Sequence, residues 1–586
     1  MSTIRQLLSA HIDIWTAAET ERRSGRGRAS GSAASVYGIK KLRELILELA
    51  VRGNLVAQDA SDEPVGELLK RIQVEKEKLI TEDPIRKKKS FEPISSKEIP
   101  FQLPKEWKWV RIGQLGHDWG QKIPDRDFTY IDVSAIDNQR GAISSAELVK
   151  PENAPSRARK LVKNGTLIYS TIRPYLSNIA VVEEDFSPEP IASTAFAVVH
   201  PFCAMPPRYF LFFLRSPVFV RYVESVQMGI AYPAINDRQF FSGLIPLPPI
   251  DEQHRIVAKV DELMALCDQL EAEHSGAANA HERLVRNLLG TLTQSQCAAD
   301  FNANWQRIAA HFDTLFTTEA SIDALKQTLL QLAVTGKLVP QDIKDGSGAA
   351  LLNQIQRTRT AKRNIVALSE EIDPLREGLL PSSWSWASVD QISADDPSAI
   401  TDGPFGANLK TEHYVNQPGY RVVRLQNIGH GEFRNEHISY IDKAHFEKLV
   451  KHQVRGGDLI VAGLIDTSIR CCAAPKDIGH AIVKADCYRL SVHPLVFPSY
   501  VHHYLNSATA HEFAAVHHHG LTLTRIGLGN FRSIPIPLPP FAEQHRIVTK
   551  IDELFALCHQ LSSRITTAKE RQKRLADALI NNAVAA

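Results

Sequence analysis

Two long segments of the chain carry apolar residues at one narrow spacing, with polar residues between them. In the first segment, the spacing of 4, 3, 4 and 3 residues is occupied by Ile256, Val260, Leu263, Cys267 and Leu270. In the second segment, the same spacing is occupied by Ile547, Ile551, Leu554, Cys558 and Leu561. This spacing is typical of helices that pack along one seam, as in a coiled coil. Two shorter helices are predicted from matching seams, at Leu42, Ile46 and Leu49 and at Leu325, Leu329 and Leu332.

The two halves of the chain repeat one another around these helices. "IPLPPIDEQHRIVAKVDELMALCDQL" begins at Ile245, and a stretch identical at 20 of 26 positions begins 291 residues later, at Ile536. "LPKEWKW" at Leu103 returns as "LPSSWSW" at Leu380. "LAVRGNLVAQD" ends at Asp59 and returns as "LAVTGKLVPQD", which ends at Asp342. The period is far longer than the 20–50 residues of a solenoid, so the sequence indicates a tandem duplication.

The segments between the repeated motifs differ, and both predict mixed α/β structure. Runs such as "TLIYSTI" and "TAFAVVH" in the first half, and "YRVVRLQNI" and "DLIVAGLI" in the second, are typical of strands. The residues 209–222 and 499–516 predict one helix each. The prolines of "IPLPP" predict a rigid extended lead into each long helix. Asp251 is the predicted cap of the first long helix, and Ala542 replaces it in the second.

Bulk composition excludes several classes of protein. The chain has 586 residues, 44% hydrophobic and 23% charged, with a net charge of only +2, so it is not a grossly basic binder of polyanions. Its seven cysteines show no CxxC spacing, which predicts reduced thiols in a cytosolic protein. The longest apolar run, "YFLFFL" from Tyr209, is too short to cross a bilayer.

In their shared order, these motifs resemble the specificity (S) subunits of Type I restriction-modification systems. LPxxWxW opens each variable segment, IPLPPxxEQHRIVxKxDEL closes each one, and "LAVTGKLVPQD" lies in the central spacer. "YIDVSAID" in the first half is similar to part of one type of target-recognition domain, and "DGPFGANLKTEHY" in the second half is similar to part of another. The resemblance covers nearly the whole chain, and "HIDIWTAA" near the N-terminus is similar to the Type IB branch.

The resemblance implies an α/β (α+β) fold with two target-recognition domains separated by long antiparallel coiled-coil helices, in a pseudo-twofold tandem repeat. The expected regions are an N-terminal arm and linker (1–38), a conserved helical region (39–99), target-recognition domain 1 (100–250), central coiled-coil helices (251–376), target-recognition domain 2 (377–541) and a C-terminal helix (542–586).

The resemblance also implies a function without catalysis by this chain. Each recognition domain would bind one half of a bipartite site in double-stranded DNA, and the helices would set the spacer. Two modification (M) subunits would dock on the helices and carry S-adenosylmethionine for adenine-N6 methylation. Two restriction (R) subunits, bound through M, would supply ATP- and Mg-dependent cleavage. No cofactor is expected on this chain, and the expected location is the cytoplasm of a bacterium or archaeon.

Candidate DNA contacts in the first variable domain are basic, hydroxyl and aromatic side chains near predicted strand ends. Arg suits guanine, Ser and Thr suit bases or phosphates, and Lys suits phosphates. The candidates are Arg157, Arg159, Lys160, Lys163, Ser170, Thr171, Arg173, Tyr175, Ser193, Thr194 and Tyr232. Arg173 is the leading candidate because it precedes a proline at a strand end. A solvated basic face or a structural turn would carry the same residues.

The second variable domain offers a Gly-rich loop and a second strand end. The candidates there are Gly403, Phe405, Gly406, Asn408, Lys410, Arg424, Gln426, Asn427, Thr522, Thr524 and Arg525. The last three occupy the position of the first domain's "AYPAIN" loop. Backbone in a Gly-rich loop can approach DNA closely, whereas the GxxxxGK[ST] pattern of a phosphate loop is absent from the sequence.

The duplicated helix starts are the candidate partner surface, because identical exposed residues would suit two copies of one partner. The residues are Glu252, Gln253, Arg255, Ile256, Glu543, Gln544, Arg546 and Ile547. Ordinary helix packing is the simpler interpretation of the seams themselves.

Other interpretations of the sequence compete with this one. A catalytic subunit is disfavoured because the sequence has no Walker lysine, no NPPY-type loop and no FxGxG motif. No metal site is expected either, since "HEFAA" at His511 misses the HExxH pattern. The alternatives left open are a specificity subunit of another methylation-based defence system and a non-catalytic coiled-coil scaffold.

Overall fold

A computed structural model describes residues 12–17, 36–82, 91–229, 232–360, 363–368, 380–465, 469–516 and 524–585. The chain forms two compact units. Unit 1 comprises residues 1–277 and 568–586, and unit 2 comprises residues 278–567. Each unit therefore contains the variable segment of one half of the chain, together with part of each of the two long helices.

The helices of unit 1 lie before and after its variable domain. They are α1 (Ile12–Ala17), α2 (Tyr37–Arg52), α3 (Val65–Glu82), α4 (Pro207–Arg215), α5 (Pro217–Val226), α6 (Asp237–Ser242) and the start of α7 (Ile250–Thr293). Unit 2 contains the end of α7, α8 (Ala298–Ala309), α9 (Phe312–Leu315), α10 (Glu319–Val334), α11 (Gly348–Thr358), α12 (Lys443–Lys448), α13 (Pro498–Leu505), α14 (Ala508–Val516), α15 (Leu528–Ser533) and most of α16 (Phe541–Ala585).

The strands of unit 1 form two four-stranded sheets, ordered β6-β3-β10-β7 and β2-β11-β8-β9, and two strand pairs, β1-β12 and β4-β5. These strands are β1 (Lys108–Arg111), β2 (Gly116–His117), β3 (Phe128–Ile131), β4 (Ile136–Asp137), β5 (Ala142–Ile143), β6 (Glu147–Val149), β7 (Ala158–Leu161), β8 (Leu167–Ser170), β9 (Ile179–Val181), β10 (Pro190–Ser193), β11 (Phe196–Pro201) and β12 (Leu244–Leu247).

The strands of unit 2 repeat this plan with one five-stranded sheet. The orders are β14-β23-β19-β21 and β15-β17-β16-β22-β18, with pairs β13-β25 and β20-β24. The strands are β13 (Ser385–Ser388), β14 (Ile400–Asp402), β15 (Tyr414–Val415), β16 (Tyr420–Val423), β17 (Ser439–Ile441), β18 (Gln453–Val454), β19 (Leu459–Ala462), β20 (Leu464–Ile465), β21 (Cys471–Ala473), β22 (Ala481–Val483), β23 (Cys487–Leu490), β24 (Thr524–Arg525) and β25 (Pro535–Leu538).

The predicted seams are the buried faces of the helices. Ile256, Val260, Leu263 and Cys267 of α7 are buried in unit 1, in one core with Leu42 and Ile46 of α2. Ala576, Leu579 and Ile580 near the end of α16 pack in the same core. In unit 2, the seam of α16 shares a core with Val285, Leu289 and Leu292 of α7. In each unit the start of one long helix packs with the end of the other, which confirms the antiparallel helix pair.

Two of the repeated motifs, together with Asp62 three residues after the third, meet in a largely buried cluster of unit 1 that we call the clasp: Asp62, Trp107, Glu252 and Arg255. The indole Nε1 of Trp107 donates to Glu252 Oε2 at 2.9 Å, and both side chains are buried. Arg255 donates two hydrogen bonds to the Asp62 carboxylate, at 2.9 and 2.6 Å. The motifs come together because a buried carboxylate must keep hydrogen-bond and charge partners.

Unit 2 has a second clasp at the matching positions of the repeat, formed by Asp345, Trp384, Glu543 and Arg546, without the hydrogen bond from the tryptophan indole nitrogen. Arg546 Nη2 donates to Asp345 Oδ2 at 2.6 Å. Burial raises the pKa of Glu543 to about 7, and the Trp384 indole and the Arg546 guanidinium oppose that rise. Burial also raises the pKa of Glu252 in unit 1.

Each clasp sits beside a strand pair that joins the two ends of a variable domain. Trp109 of β1 pairs with Pro246 of β12, and Trp386 of β13 pairs with Pro537 of β25. The same proline carbonyls accept hydrogen bonds from the hydroxyls of Tyr209 and Tyr500, each at 2.7 Å. The first and last strands of each variable domain are therefore paired in the same register in both units, although the residues between these strands differ.

The structure corrects two predictions about helices. The residues predicted as one helix in each variable domain form two, α4 and α5 in unit 1 and α13 and α14 in unit 2. In unit 1 the break follows from Pro217 after Ser216, whose hydroxyl caps α5 by accepting from Phe219 N. The long helix α7 begins at Ile250, so Asp251 lies in its first turn rather than at the cap.

Among the described residues, the structure contains no helix that is long and apolar enough to cross a membrane.

The raised pKa of Glu543 predicts a pH-dependent stability. A carboxyl group with a higher pKa in the folded than in the unfolded chain holds its proton more tightly when folded. The free energy of unfolding should therefore fall as pH rises from about 4.5 to about 7, by up to about 1.4 kcal/mol per pH unit from this group. Glu543→Gln should flatten that slope, measured by urea unfolding of the full chain from pH 5 to 7.5. Glu553→Gln, at an exposed position of the same helix, is the control, and equal slopes in all three proteins would contradict the prediction.

Candidate nucleic-acid interface

Three loops of unit 1 meet where β8 ends, and backbone hydrogen bonds tie them together. Thr171 N donates to Ala195 O at 2.8 Å, which joins the end of β8 to the loop after β10. Thr194 N donates to Arg157 O at 2.8 Å, which adds the segment before β7. Arg173 N donates to Pro233 O at 2.8 Å, which adds the loop before α6. The sequence candidates from four separate segments are thereby brought to one edge, which we call the unit 1 loop face.

The side chains exposed on the unit 1 loop face are cationic, aromatic and hydroxylic. The predicted residues among them are Arg157, Arg173, Tyr175, Thr194 and Tyr232. The Arg173 guanidinium lies 5.2 Å from the ring centroid of Tyr232, which is 72% exposed. An Arg beside an exposed aromatic ring can offer its donors to a guanine edge or a phosphate while the ring holds its plane.

Other predicted residues of the first variable domain are engaged inside the protein. The hydroxyls of Ser170 and Thr171 donate to Ile172 O and Ala195 O, at 2.9 and 2.8 Å. Ser193 is fully buried. These hydroxyls close the loops and are not available on the surface, which corrects the expectation that they contact DNA directly.

The basic residues of β7 and of the segment after it also differ in their contacts and exposure. Lys160 Nζ donates to Phe196 O at 2.6 Å and to Asp237 at 3.2 Å, so its charge is held by the fold. Arg159 is half-buried and donates to Ala158 O at 2.7 Å. Lys163 is exposed, but it lies near the start of β8, with its Nζ 4.0 Å from the Trp119 ring centroid. The predicted basic cluster is therefore divided, and only Arg157 reaches the unit 1 loop face.

The sequence reading missed Arg140, whose side chain is 85% exposed. It lies at the tip of the β4-β5 hairpin, where Asn138 Nδ2 donates to Leu176 O at 3.0 Å and so fixes the tip beside the unit 1 loop face. The polar run "DNQRG" between two short apolar runs is a hairpin signal that could have identified this position.

Unit 2 repeats the backbone of this edge with different side chains. In unit 1, Ile172 forms a β-bridge with Ala234, and Ile235 N donates to Thr171 O at 2.9 Å. In unit 2, Leu464 pairs with Arg525, and Ile526 N donates to Gly463 O at 3.0 Å. The offset from Ala234 to Arg525 is 291 residues, the same as between the repeated helices. The prediction that Arg525 occupies the place of the "AYPAIN" loop is confirmed.

Arg525 also lies against an aromatic ring, but its charge is balanced. Its guanidinium is 5.0 Å from the ring centroid of Phe405, which is 48% exposed. Its Nη2 lies 3.1 Å from Asp402 and its Nε 2.8 Å from Asp486. Burial raises the pKa of Asp402 to about 6, while hydrogen bonds from the Gly403 and Asp486 backbone and the charge of Arg525 oppose the rise. Sequence reasoning did not single out either aspartate.

The Gly-rich loop is partly an internal feature. A Cβ at Gly403 would lie 2.0 Å from the Lys484 carbonyl carbon, so glycine is needed there for packing within the protein and not for an approach to DNA. Gly406 has φ +56° and open space around it. Asn408 and Lys410 are exposed, and Asn408 O lies 2.7 Å from His445 Nε2.

The second strand end of unit 2 is divided in the same way. Gln426 is exposed and Arg424 half-buried, with Arg424 Nη1 3.4 Å from Ser439 Oγ. Asn427 is buried, and its amide donates to Arg434 O and Glu436 O at 3.0 and 2.7 Å. Asn427 therefore closes a loop, and the expectation that it contacts adenine is corrected. Thr522 and the side chain of Thr524 lie outside the described residues.

The repeated residues at the starts of the long helices do not form an exposed surface. Glu252, Gln253 and Ile256 are buried, as are Glu543, Gln544 and Ile547. Gln253 and Gln544 donate to the carbonyls of Pro248 and Pro539 at 3.0 and 2.9 Å, and Arg255 and Arg546 belong to the clasps. The sequence is repeated because the internal contacts are repeated, so the predicted partner surface is corrected.

The exposed faces of the long helices repeat a different set of residues. Leu266 and Leu284 of α7 are 39% and 50% exposed, and Leu557 and Leu575 of α16 are 45% and 51% exposed. Each pair is 18 residues apart, which is five helical turns and places its members on one face. The offset between the pairs is again 291 residues.

The described residues offer no metal-binding cluster to accompany these surfaces. They contain no group of three or more His, Cys, Asp or Glu side chains that could hold a metal ion. All seven cysteines are free, and burial raises the pKa of Cys267 and Cys558 to about 11. His517, His518 and His519 lie outside the described residues.

Known proteins are similar to this chain along almost its whole length. The family of Type I restriction modification DNA specificity domains matches residues 104–277 and 475–568. The specificity subunit of the Type I restriction enzyme EcoAI of Escherichia coli is 34% identical over 99% of this chain and all of its own length. The specificity subunit of the Type I restriction enzyme EcoEI, also from Escherichia coli, is 33% identical with the same coverage.

Solved structures of lower identity align along most of the chain. One from a study of complex assembly and conformational transition of the type I restriction-modification system is 22% identical, covers 83% of this chain and 99% of its own, and has a TM-score of 0.49. The HsdS subunit from Thermoanaerobacter tengcongensis has the same identity and coverage, with a TM-score of 0.40. Given the full-length identity to the two curated relatives, this chain belongs to the family of Type I restriction enzyme specificity subunits.

Proposed function

We propose that this chain reads a bipartite DNA site for a Type I restriction-modification complex, one half-site with each variable domain. One observation carries the proposal. Beside equivalent strand contacts, Ile172 with Ala234 in unit 1 and Leu464 with Arg525 in unit 2, the units expose different side chains. Unit 1 presents Arg173 with Tyr232, and unit 2 presents Arg525 with Phe405 of the Gly-rich loop. A duplicated frame with unlike contact groups is what two unlike half-sites require.

The charges on the two edges favour DNA with different bases in each half-site. The unit 1 loop face adds two exposed arginines to Arg173, namely Arg157 and Arg140, whose Nε lies 3.9 Å from Asp137. It therefore presents cations to a groove and its phosphates. In unit 2, Arg525 is held by two carboxylates, which fix its orientation and remove the net positive charge. A carboxylate beside the arginine can accept from the amino group of cytosine or adenine, whereas a lone arginine favours guanine.

The long helices would set the spacer and carry the partners. Each long helix contributes residues to both units, so in this proposal its length would set how far apart the half-sites are read. The exposed leucines give two equivalent apolar positions on each helix, which suits two copies of one modification subunit. Those subunits would bind S-adenosylmethionine and methylate adenine, and restriction subunits bound through them would use ATP and Mg. This chain would supply recognition and no catalytic group.

Replacing either exposed arginine should relax one half-site and leave the other intact. Arg173→Ala removes a bidentate donor, and Arg525→Ala releases the two carboxylates that the arginine holds in place. Each change should cost about 1–3 kcal/mol of discrimination at one base pair. The measurement is base-resolution mapping of methylated adenines in host DNA, with each variant co-expressed with the cognate modification subunit. Lys163→Ala, away from the loop face, is the control and should keep the parent motif. Loss of specificity in both half-sites at once would contradict the assignment of one unit to one half-site.

Lengthening the helical frame should change the spacer alone. Four residues inserted at the unit boundary of both α7 and α16 add about 6 Å of helix, close to two base-pair rises. We expect the mapped motif to keep both half-site sequences with a longer spacer between them. A changed half-site sequence with the original spacing would show that the helices do not set the length of the spacer.

The exposed leucines should control how many modification subunits bind. Leu557→Asp places a charge at one apolar position, and burying that charge in an interface is unfavourable. The variant should lower the bound modification subunits from two to one in native mass spectrometry, and Leu266→Asp combined with it should remove both. Gln560→Asp, at an exposed polar position of α16, is the matched control and should retain two. Two subunits bound to the double variant would refute this docking surface.

A further inference from the structure

The turn Ile172–Ser177, directly after β8, is held in a strained conformation. Arg173 and Ser177 have φ of 48° and 52°, in the left-handed region that residues with a Cβ rarely adopt. Such conformations persist only where the surroundings enforce them, and they concentrate at sites that bind ligands. Pro174, between the two strained residues, is buried.

Hydrogen bonds from three sides make the turn rigid. Ser170 Oγ donates to Ile172 O at 2.9 Å, and Arg173 N donates to Pro233 O at 2.8 Å. Asn138 Nδ2, from the β4-β5 hairpin, donates to Leu176 O at 3.0 Å. The hydroxyl buried at Ser170, which cannot reach DNA itself, therefore has a role in setting the shape of the turn.

This rigid turn presents apolar side chains to solvent. Ile172, Tyr175 and Leu176 are 38%, 49% and 39% exposed. Met228, which bridges to the same Ala234 as Ile172, is 61% exposed. Exposed turns ordinarily carry polar residues, and an apolar patch rimmed by polar groups marks a contact surface. The rim here is cationic, with Arg173, Arg157 and Arg140 exposed.

The cationic rim suits the phosphates of a nucleic acid, and the apolar tip suits its base stack, which can be opened. We propose that the turn Ile172–Ser177 is a wedge that inserts between adjacent base pairs of the half-site read by unit 1 and unstacks them, with Tyr175 against a base face. Arg173 and its basic neighbours hold the flanking phosphates or base edges. Apolar wedges that open base steps are known from proteins that bind the minor groove, and the wedge here would act from the groove that Arg173 reads. The inference rests on the proposed function, because the occupant is the DNA of the recognised site.

The test uses the full chain in complex with its modification subunit and duplexes carrying the mapped site. Fluorescent base analogues, 2-aminopurine for adenine and pyrrolocytosine for cytosine, replace one base at a time on either strand, except the adenine that is methylated. Unstacking raises their fluorescence. We expect a rise at one step of one half-site, from the base that does not stack on Tyr175, reduced to the level of free DNA in the Tyr175→Ala, Leu176→Ala double variant.

The same double variant should weaken specific binding about tenfold, the loss expected when one base–aromatic stack is removed. Tyr175→Phe should restore the fluorescence rise, since stacking does not need the hydroxyl. Leu148→Ala, at a leucine that is 68% exposed on the edge strand β6, is the matched control. Signals in the other half-site should be the same with every variant.

A site that is bound and methylated but shows no rise at any step, or a rise that persists in the double variant, would overturn the wedge. Absence of any bipartite methylated motif would instead contradict the proposed function, and the wedge with it.

Discussion

The buried carboxylates of Glu252 and Glu543 are the constraint around which each unit is assembled. Removing a carboxylate from water is unfavourable unless hydrogen bonds and opposite charges replace the water. Glu252 Oε2 accepts a hydrogen bond from an indole 145 residues earlier in the chain, and the neighbouring Arg255–Asp62 pair supplies a nearby cation. Three distant segments therefore meet at this carboxylate. The variable domain between them starts and ends at one strand pair, and so the residues in between are free to diverge.

The fold could be predicted where the sequence is periodic. A 4,3 seam determines which face of a helix is buried, and every seam residue that was predicted except Leu270 is buried. Helix limits were less predictable, since Ser216-Pro217 fits the pattern of a helix unless the proline is read as a break. The clasps could not be predicted, because their partners are far apart in sequence and no periodicity links an Asp after a short helix to an Arg in a long one.

The candidate site was predictable in place and only partly in detail. Arg525 was placed correctly from the offset of a repeated loop, and Arg173 is exposed at its strand end as expected. Ser170, Ser193 and Asn427 have the same chemistry as residues that read bases, yet their polar groups close loops. Sequence cannot separate these roles, because a strand end needs polar side chains to satisfy its own backbone before it can offer any to a ligand. The polar residues that are identical in the two repeats, such as Gln253 and Gln544, were likewise predicted to form a surface. They are identical because both make the same internal hydrogen bonds.

The exchange of helix ends between the two units has a consequence for the order in which the protein can be made. The sequence of unit 1 is almost complete at residue 277, but Ala576, Leu579 and Ile580 belong to its core, and Asp577 accepts a hydrogen bond from Tyr37 at 2.7 Å. During synthesis, the first half of the chain must wait with an apolar face open until residues 576–580 leave the ribosome. A nonsense codon or a proteolytic cut before these residues would therefore damage the unit that was translated first.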